Sequence, residues 1–270
     1  MNTPRYTNKH LLLAALVGAA VSYGALWFSL DDSMKHGRVQ PETVAVHEQK
    51  GQPLTPPNDA ATKAVDIEQI RKDLSTRFIG DPRTFGEKLR NFVAENTYPQ
   101  TIAIACKVVA DLAENLDTLT NDELISLYDN QTHPEFKRVL AQVLSLRGNN
   151  SLMEKLVNEA QPALKSTNPV ERSKMLIKLA KTHYAGAADA IAPLVQDSDA
   201  TVKLDALLAL RATGNESHIR HIENLINHPD QSVSWLAKDA IEHLQNLSSK
   251  ARTKITSADI AAELPPINMN

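Results

Sequence analysis

Aromatic residues make up only 4% of the 270-residue chain, glycine occurs nine times and cysteine once. Each shortage excludes something. A β-sandwich or barrel of this length needs many more aromatics and turn glycines. One cysteine rules out an intramolecular disulfide framework and a cysteine-based zinc site. An excess of positive charge is also missing: the formal net charge is −3, which argues against a sequence-independent nucleic-acid binder. What is abundant is alanine and leucine, 33 and 32 residues. These are the strongest helix formers, so the composition predicts an all-α protein.

A short leading tail, residues 1–10, precedes the one long uncharged run, Leu11 to Leu30. Its 20 residues match the length a helix needs to cross a bilayer core of roughly 30 Å. Trp27 and Phe28 fall at its outer end, where amphipathic rings favour the headgroup level. Two readings are open, an uncleaved signal-anchor and a cleaved signal peptide. The run continues apolar past the small-x-small site Ala20-Val21-Ser22 to Leu30, which favours the anchor. Arg5 and Lys9 before it nearly balance Lys35 and Arg38 after it. The usual layout of a signal-anchor then predicts a single pass of the inner or plasma membrane, with the bulk of the chain on the outer, periplasmic or extracytoplasmic, side.

Residues 31–65 lose all apolar periodicity and carry Pro41, Pro53, Pro56 and Pro57. They read as a disordered tether with a root-mean-square reach of about 30 Å. Helical spacing begins at Asp66 with Ile67, Ile70, Leu74 and Phe78, and residues 66–132 read as a helical first part of the domain. Pro99 opens a run that is apolar around much of its circumference and is expected to be deeply buried, with Cys106 as a small buried hydrophobe. Further starts are Thr120-Asn121, His133-Pro134, Ser151, Asn168-Pro169, Asp199 and Asp230, and Gly148 reads as a helix stop. A partner helix is expected over Glu216 to Asn227, and Trp235 is expected in core or interface packing. Residues 248–270 form a polar tail with a short helical hint, SADIAAEL, read as a loose extension or a docking peptide.

Two segments repeat at a spacing of 31: Val202 on Val233, Ala206 on Ala237, Ala209 on Ala240 and Leu210 on Ile241. The unit reads as helix, short turn, helix, and then a polar turn carrying Asp or Pro. Through Asp197-Ser198-Asp199-Ala200-Thr201-Val202-Lys203 and the alanines after it, the stretch from His133 to Leu247 resembles the HEAT-like repeats of the armadillo-type α-solenoid class. A compact helical bundle is the competing architecture. Stacked helical hairpins explain the composition, because one pair cannot bury its apolar face alone.

The chemistry-bearing motifs are few. HExxH, GxSxG, GxGxxG and Walker A strings do not occur. His218 and His221 are spaced for a shared zinc ion but lack a third ligand, and they read as solvated histidines beside a turn. No cofactor, catalytic residue or metal ligand is therefore predicted. The resemblance implies a non-enzymatic scaffold that offers an extended surface to a protein partner, with the second helix of each pair facing it. On that basis the expected binding residues are Lys155 and Asn158, and Arg220, His221 and Asn224. Two alternatives remain. The layout of anchor, tether and helical domain looks like that of lipase-specific foldases, although their Arg-x-x-Phe-Asp-Tyr signature is missing. An accessory subunit of an enzyme is the other.

Overall fold

The computed structural model describes residues 83–95 and 98–267. The expected membrane span 11–30, the tether 31–65 and the first amphipathic helix from Asp66 lie outside the described residues. Within them every regular element is a helix and there is no strand. Among the described residues no helix is long and apolar enough to cross a membrane.

The α-helices are α1 (Phe85–Glu95), α2 (Pro99–Asp111), α3 (Asn121–Asp129), α4 (Pro134–Leu146), α5 (Ser151–Leu164), α6 (Pro169–Ala180), α7 (Ala185–Ile191), α8 (Ala200–Thr213), α9 (Gln231–Leu244) and α10 (Ser257–Ala262). Their starts follow from local chemistry. Prolines at the first position of α2, α4 and α6 carry a φ already suited to the helix and have no amide left unbonded there. Thr120 and Glu123 form a reciprocal capping box on α3, and Thr256 and Asp259 form one on α10. Asp199 accepts the Thr201 and Val202 amides, and Asp230 accepts those of Ser232 and Val233. The same cap therefore recurs 31 residues on. Gly148 ends α4 at φ 92°; its amide bonds the Ser145 carbonyl at 2.8 Å and the Asn149 amide bonds Leu144 at 3.1 Å. That is a Schellman closure, which needs the left-handed backbone that glycine adopts without strain.

Successive helices pack on one another. α2 meets α4, α4 meets α5, α5 meets α6, α6 meets α8, and α8 meets α9. One continuous core runs from Phe85 through Phe136, Leu176 and Ala206 to Ile260. Val202, Ala206 and Ala209 and their counterparts Val233, Ala237 and Ala240 are all buried, so the 31-residue register is a register of core positions. Alanine at these contacts lets the helix axes approach. Between Asn168 and Ala200 the chain also forms α7 and a 3₁₀ helix, Ala192–Gln196, which the repeat register does not announce.

Two expectations are corrected and a third is narrowed. The segment from Glu216 is not one α-helix but two 3₁₀ helices, Glu216–His221 and Glu223–Leu225. Ile219, Ile222 and Leu225 recur every third residue, the period of a 3₁₀ helix, and i to i+3 bonds join Ile222 to Ile219 and Leu225 to Ile222 at 2.8 Å. His218 is buried rather than solvated, because its Nδ1 accepts the Asn215 amide at 3.1 Å and caps this segment. Trp235 is not in the core: it is 63% exposed.

The C-terminal residues do not trail away. After α9 the chain turns back and runs along the row of turns that join the two helices of each hairpin. Asn215 Nδ2 donates to the Ser249 and Ala251 carbonyls at 3.0 Å. The Ala185 amide donates to Arg252 O at 2.8 Å, and Asn150 Nδ2 to Thr253 O at 2.9 Å. Ile255 donates its amide to Ser145 Oγ at 3.2 Å, and α10 then packs on α4 and α2. We call residues 249–263 the strap.

Candidate partner-binding surface

The expected site residues fall into two groups. Lys155 and Asn158 are exposed on α5. Lys155 pairs with Asp129 at 2.7 Å and its ammonium lies 5.6 Å from the centre of the Tyr128 ring. Pro162 sits in the last turn of α5 and has no amide for the Asn158 carbonyl. Arg220 and Asn224 are exposed, and His221 is half-buried, on the two 3₁₀ helices. Gln196 Nε2 donates to the His221 carbonyl at 3.4 Å and to Asn224 Oδ1 at 3.0 Å, while Arg220 Nε donates to His221 Nε2 at 3.3 Å. α7 and its 3₁₀ extension stand between the two groups: α5 touches α7, and the extension touches Glu216–His221. No hydrogen bond or ion pair links one group to the other.

Beside Lys155 the structure builds a charged cluster over a buried ring. Tyr128 is fully covered; Lys137 lies 4.3 Å above its centre and bonds Glu159 at 2.7 Å, and the Tyr128 hydroxyl donates to Glu159 at 3.3 Å. Burial, and then the adjacent Glu159 carboxylate, push the phenol well above its ordinary value, so it stays a hydrogen-bond donor. The cleft next to it, about 250 Å³, is lined by Glu135, Lys137, Arg138, Glu159 and Lys178. Glu135 also faces burial, but the Arg138 charge and hydrogen bonds and then Lys181 outweigh it and hold the carboxyl below the usual range. Glu135, Lys137, Arg138 and Glu159 are all paired within this cluster, which suits a polar docking face more than proton transfer.

Cys106 is wholly buried in α2, and burial pushes its thiol up to about 12, far from a reactive thiolate. His218 Nε2 lies 3.3 Å from Asp189 Oδ1 but off the line of a hydrogen bond. Among the described residues no three His, Cys, Asp or Glu side chains converge as a metal site.

The surface that sequence reading missed is apolar. Trp235 on α9, Leu208 on α8 and Ile177 on α6 are 63%, 51% and 39% exposed. Leu204 and Leu208 are one turn apart on α8. At the 31-residue spacing Trp235 falls on Leu204 and Ile177 falls on Leu208, so the three exposed side chains lie on successive packed helices at two neighbouring positions of the repeat. A partial signal was available: Leu208 aligns with the polar Asp239.

A scan against family models returns no match, and a search of curated proteins returns none at the level accepted. Among solved structures, the chain is similar to an engineered protein from a structural genomics programme at 15% identity, covering 66% of this chain and 97% of that one with a TM-score of 0.31.

Proposed function

We propose that the chain is a membrane-tethered protein-binding scaffold or adaptor, in which a HEAT-like solenoid holds a protein partner near the membrane. In this reading Leu11 to Leu30 is the span and residues 31–65 are the tether. The helical domain lies on the outer, periplasmic or extracytoplasmic, side. The observation that carries it is the row of Ile177, Leu208 and Trp235. A domain that buries its core as thoroughly as this one gains nothing from leaving a tryptophan two-thirds exposed, whereas partner interfaces are rich in such anchors. Lys155 and Asn158, with Arg220, His221 and Asn224, form the proposed polar contact face. No cofactor, metal or catalytic residue enters this reading.

A photocrosslinking residue placed at 235, and separately at 220, in the full-length chain in intact membranes tests it. The expected result is one discrete crosslinked protein from position 235, carried in the membrane fraction and accessible to protease from outside. No crosslink from either position would overturn the scaffold reading, and a chain recovered free of membranes would overturn the tether.

A further inference from the structure

We propose that the row of turns under the strap is a peptide-binding groove, and that the strap is its built-in occupant, displaced by a partner segment that takes the same path, extended at first and ending in a short helix. The partner segment carries an arginine, then an aliphatic residue three positions on, then a second aliphatic residue five further on. This rests on the scaffold reading and supplies a recognition rule for the partner, but it involves none of the residues of the Trp235 row.

Three observations carry it. First, the groove reads main chain. Asn150, Asn215 and the Ala185 amide all donate to strap carbonyls, and Arg138 donates to the carbonyl of Glu263. Such contacts accept many sequences and set only the path of the occupant. Selectivity falls to two pegs, Ile255 and Ile260, 1% and 2% exposed, and to Arg252, which donates to the Arg211 and Gly214 carbonyls at 2.8 Å. Gly214 has no room for a side chain, since a Cβ there would stand 2.6 Å from the Leu210 carbonyl of its own helix. Most other strap residues face water.

Second, the fit is strained on both sides. Among the described residues the non-glycine residues with left-handed backbone are Arg252, at φ 61°, and His183, at φ 52°. Arg252 is the strap residue that meets Ala185, and His183 is the turn residue that meets the strap, 3.3 Å from Glu263 and 3.8 Å from Asp259. Backbone of this kind is costly for a side chain with a Cβ and gathers at clamps and switches. Here it occurs once on the strap and once on the turn that the strap crosses, at two separate contacts.

Third, an open depression adjoins the seat of the first peg. It holds about 670 Å³ beside Ile255 and is lined by Ala113, Leu116, Leu146, Arg147 and Lys254, with Leu116 exposed. An occupant with a longer side chain at this position reaches contact area that isoleucine does not. A strained occupant beside such a surface is one that a better ligand replaces.

The test titrates a fluorescent peptide of residues 249–267 onto full-length protein, wild type and the double variant I255N/I260N. The variant is expected to bind saturably. Wild type is expected to bind at least about tenfold more weakly, because its own strap competes at a high effective concentration. A peptide carrying Ile255→Met is expected to bind more tightly than the native one, and a scrambled peptide not at all. A variant that keeps its helical circular dichroism and a cooperative melt yet ignores the peptide, or that binds the scrambled peptide equally, overturns the proposal. Should the variant fail to fold, a protease site inserted after Ser248 of the full-length chain is cut in the folded state. Exchange of the cut strap for labelled peptide supports the groove. A strap that resists a hundredfold excess of peptide for a day overturns it and leaves a structural staple. Neither outcome depends on crosslinking at position 235.

Discussion

The stacked helices and the strap are held to the same core by different physics. In the stack, helix after helix buries a periodic apolar face, and its ends are closed by local caps. The strap buries two isoleucines and otherwise hangs from side-chain amides, one serine and two arginines. The stack is stabilised by many redundant contacts, so no single cap decides it. The strap depends on a few, and two of its contact residues are strained. Redundant burial makes a scaffold, and a few directional bonds make an attachment that can be exchanged.

The contrast can be broken from the stack side first. Phe136→Ala removes a fully buried ring in the first turn of α4 and should cost about 3–5 kcal/mol, seen as a large fall in melting temperature across all helical signal. A fall confined to the strap would show that the stack is not one cooperative unit.

The next largest effect lies between repeats. Arg172 clamps Asp197 with two hydrogen bonds of 2.8 Å. Burial pushes the Asp197 carboxyl up, but the Arg172 hydrogen bonds, the Asp199 amide and the Arg172 charge hold it below the ordinary aspartate value. A carboxyl depressed in the folded state stabilises above its unfolded value and loses that contribution as pH falls. The loss therefore belongs below about pH 4. Arg172→Met should cost about 2–3 kcal/mol at pH 7 and flatten the acid limb of the melting curve between pH 5 and pH 3. An acid limb unchanged by the substitution would remove Asp197 as its source.

On the strap side, Ile260→Ala should cost about 2 kcal/mol, the low end for a buried aliphatic, because the neighbouring tail can settle into the space. Hydrogen exchange sharpens the comparison. Amides of 249–260 should lose protection in this variant while those of α4 keep theirs. Equal loss in both would make the strap part of the stack.

The smallest effect is a gain. Asp205 is buried on α8, where burial, and then the Asp199 charge, push its carboxyl up despite the Ser173 hydroxyl that donates to it. The charged form is therefore disfavoured in the fold, a cost present above its folded value and relieved as pH falls through it. Asp205→Asn keeps an acceptor for Ser173 and should gain about 1 kcal/mol at pH 7, with the gain shrinking toward acid. A loss at pH 7 would mean that the charge itself holds α6 to α8.

Helix starts were legible because capping is local. His133-Pro134, Asn168-Pro169, Asp199 and Asp230 each open a helix where their chemistry places it, and Gly148 closes one. The 31-residue register was legible because core positions repeat. The 3₁₀ pair was misread because Ile219, Ile222 and Leu225 fit a period of three as well as they fit one face of an α-helix. Of the expected site residues, Lys155, Asn158, Arg220 and Asn224 do face water, as polar stripes should. Their separation by α7 was not legible, since that helix falls outside the repeat pattern.

By itself the sequence determined that the domain is helical, where most of its helices begin, and which positions of the 31-residue repeat form the core. Those are consequences of bonds and contacts within a few residues, or of a period along the chain. The tertiary structure alone decided that Trp235 stays outside, that His218 goes in, and that residues 249–263 return across the turns of three hairpins to rest on α4. Each depends on which distant segment arrives to cover a surface, and no local rule encodes that.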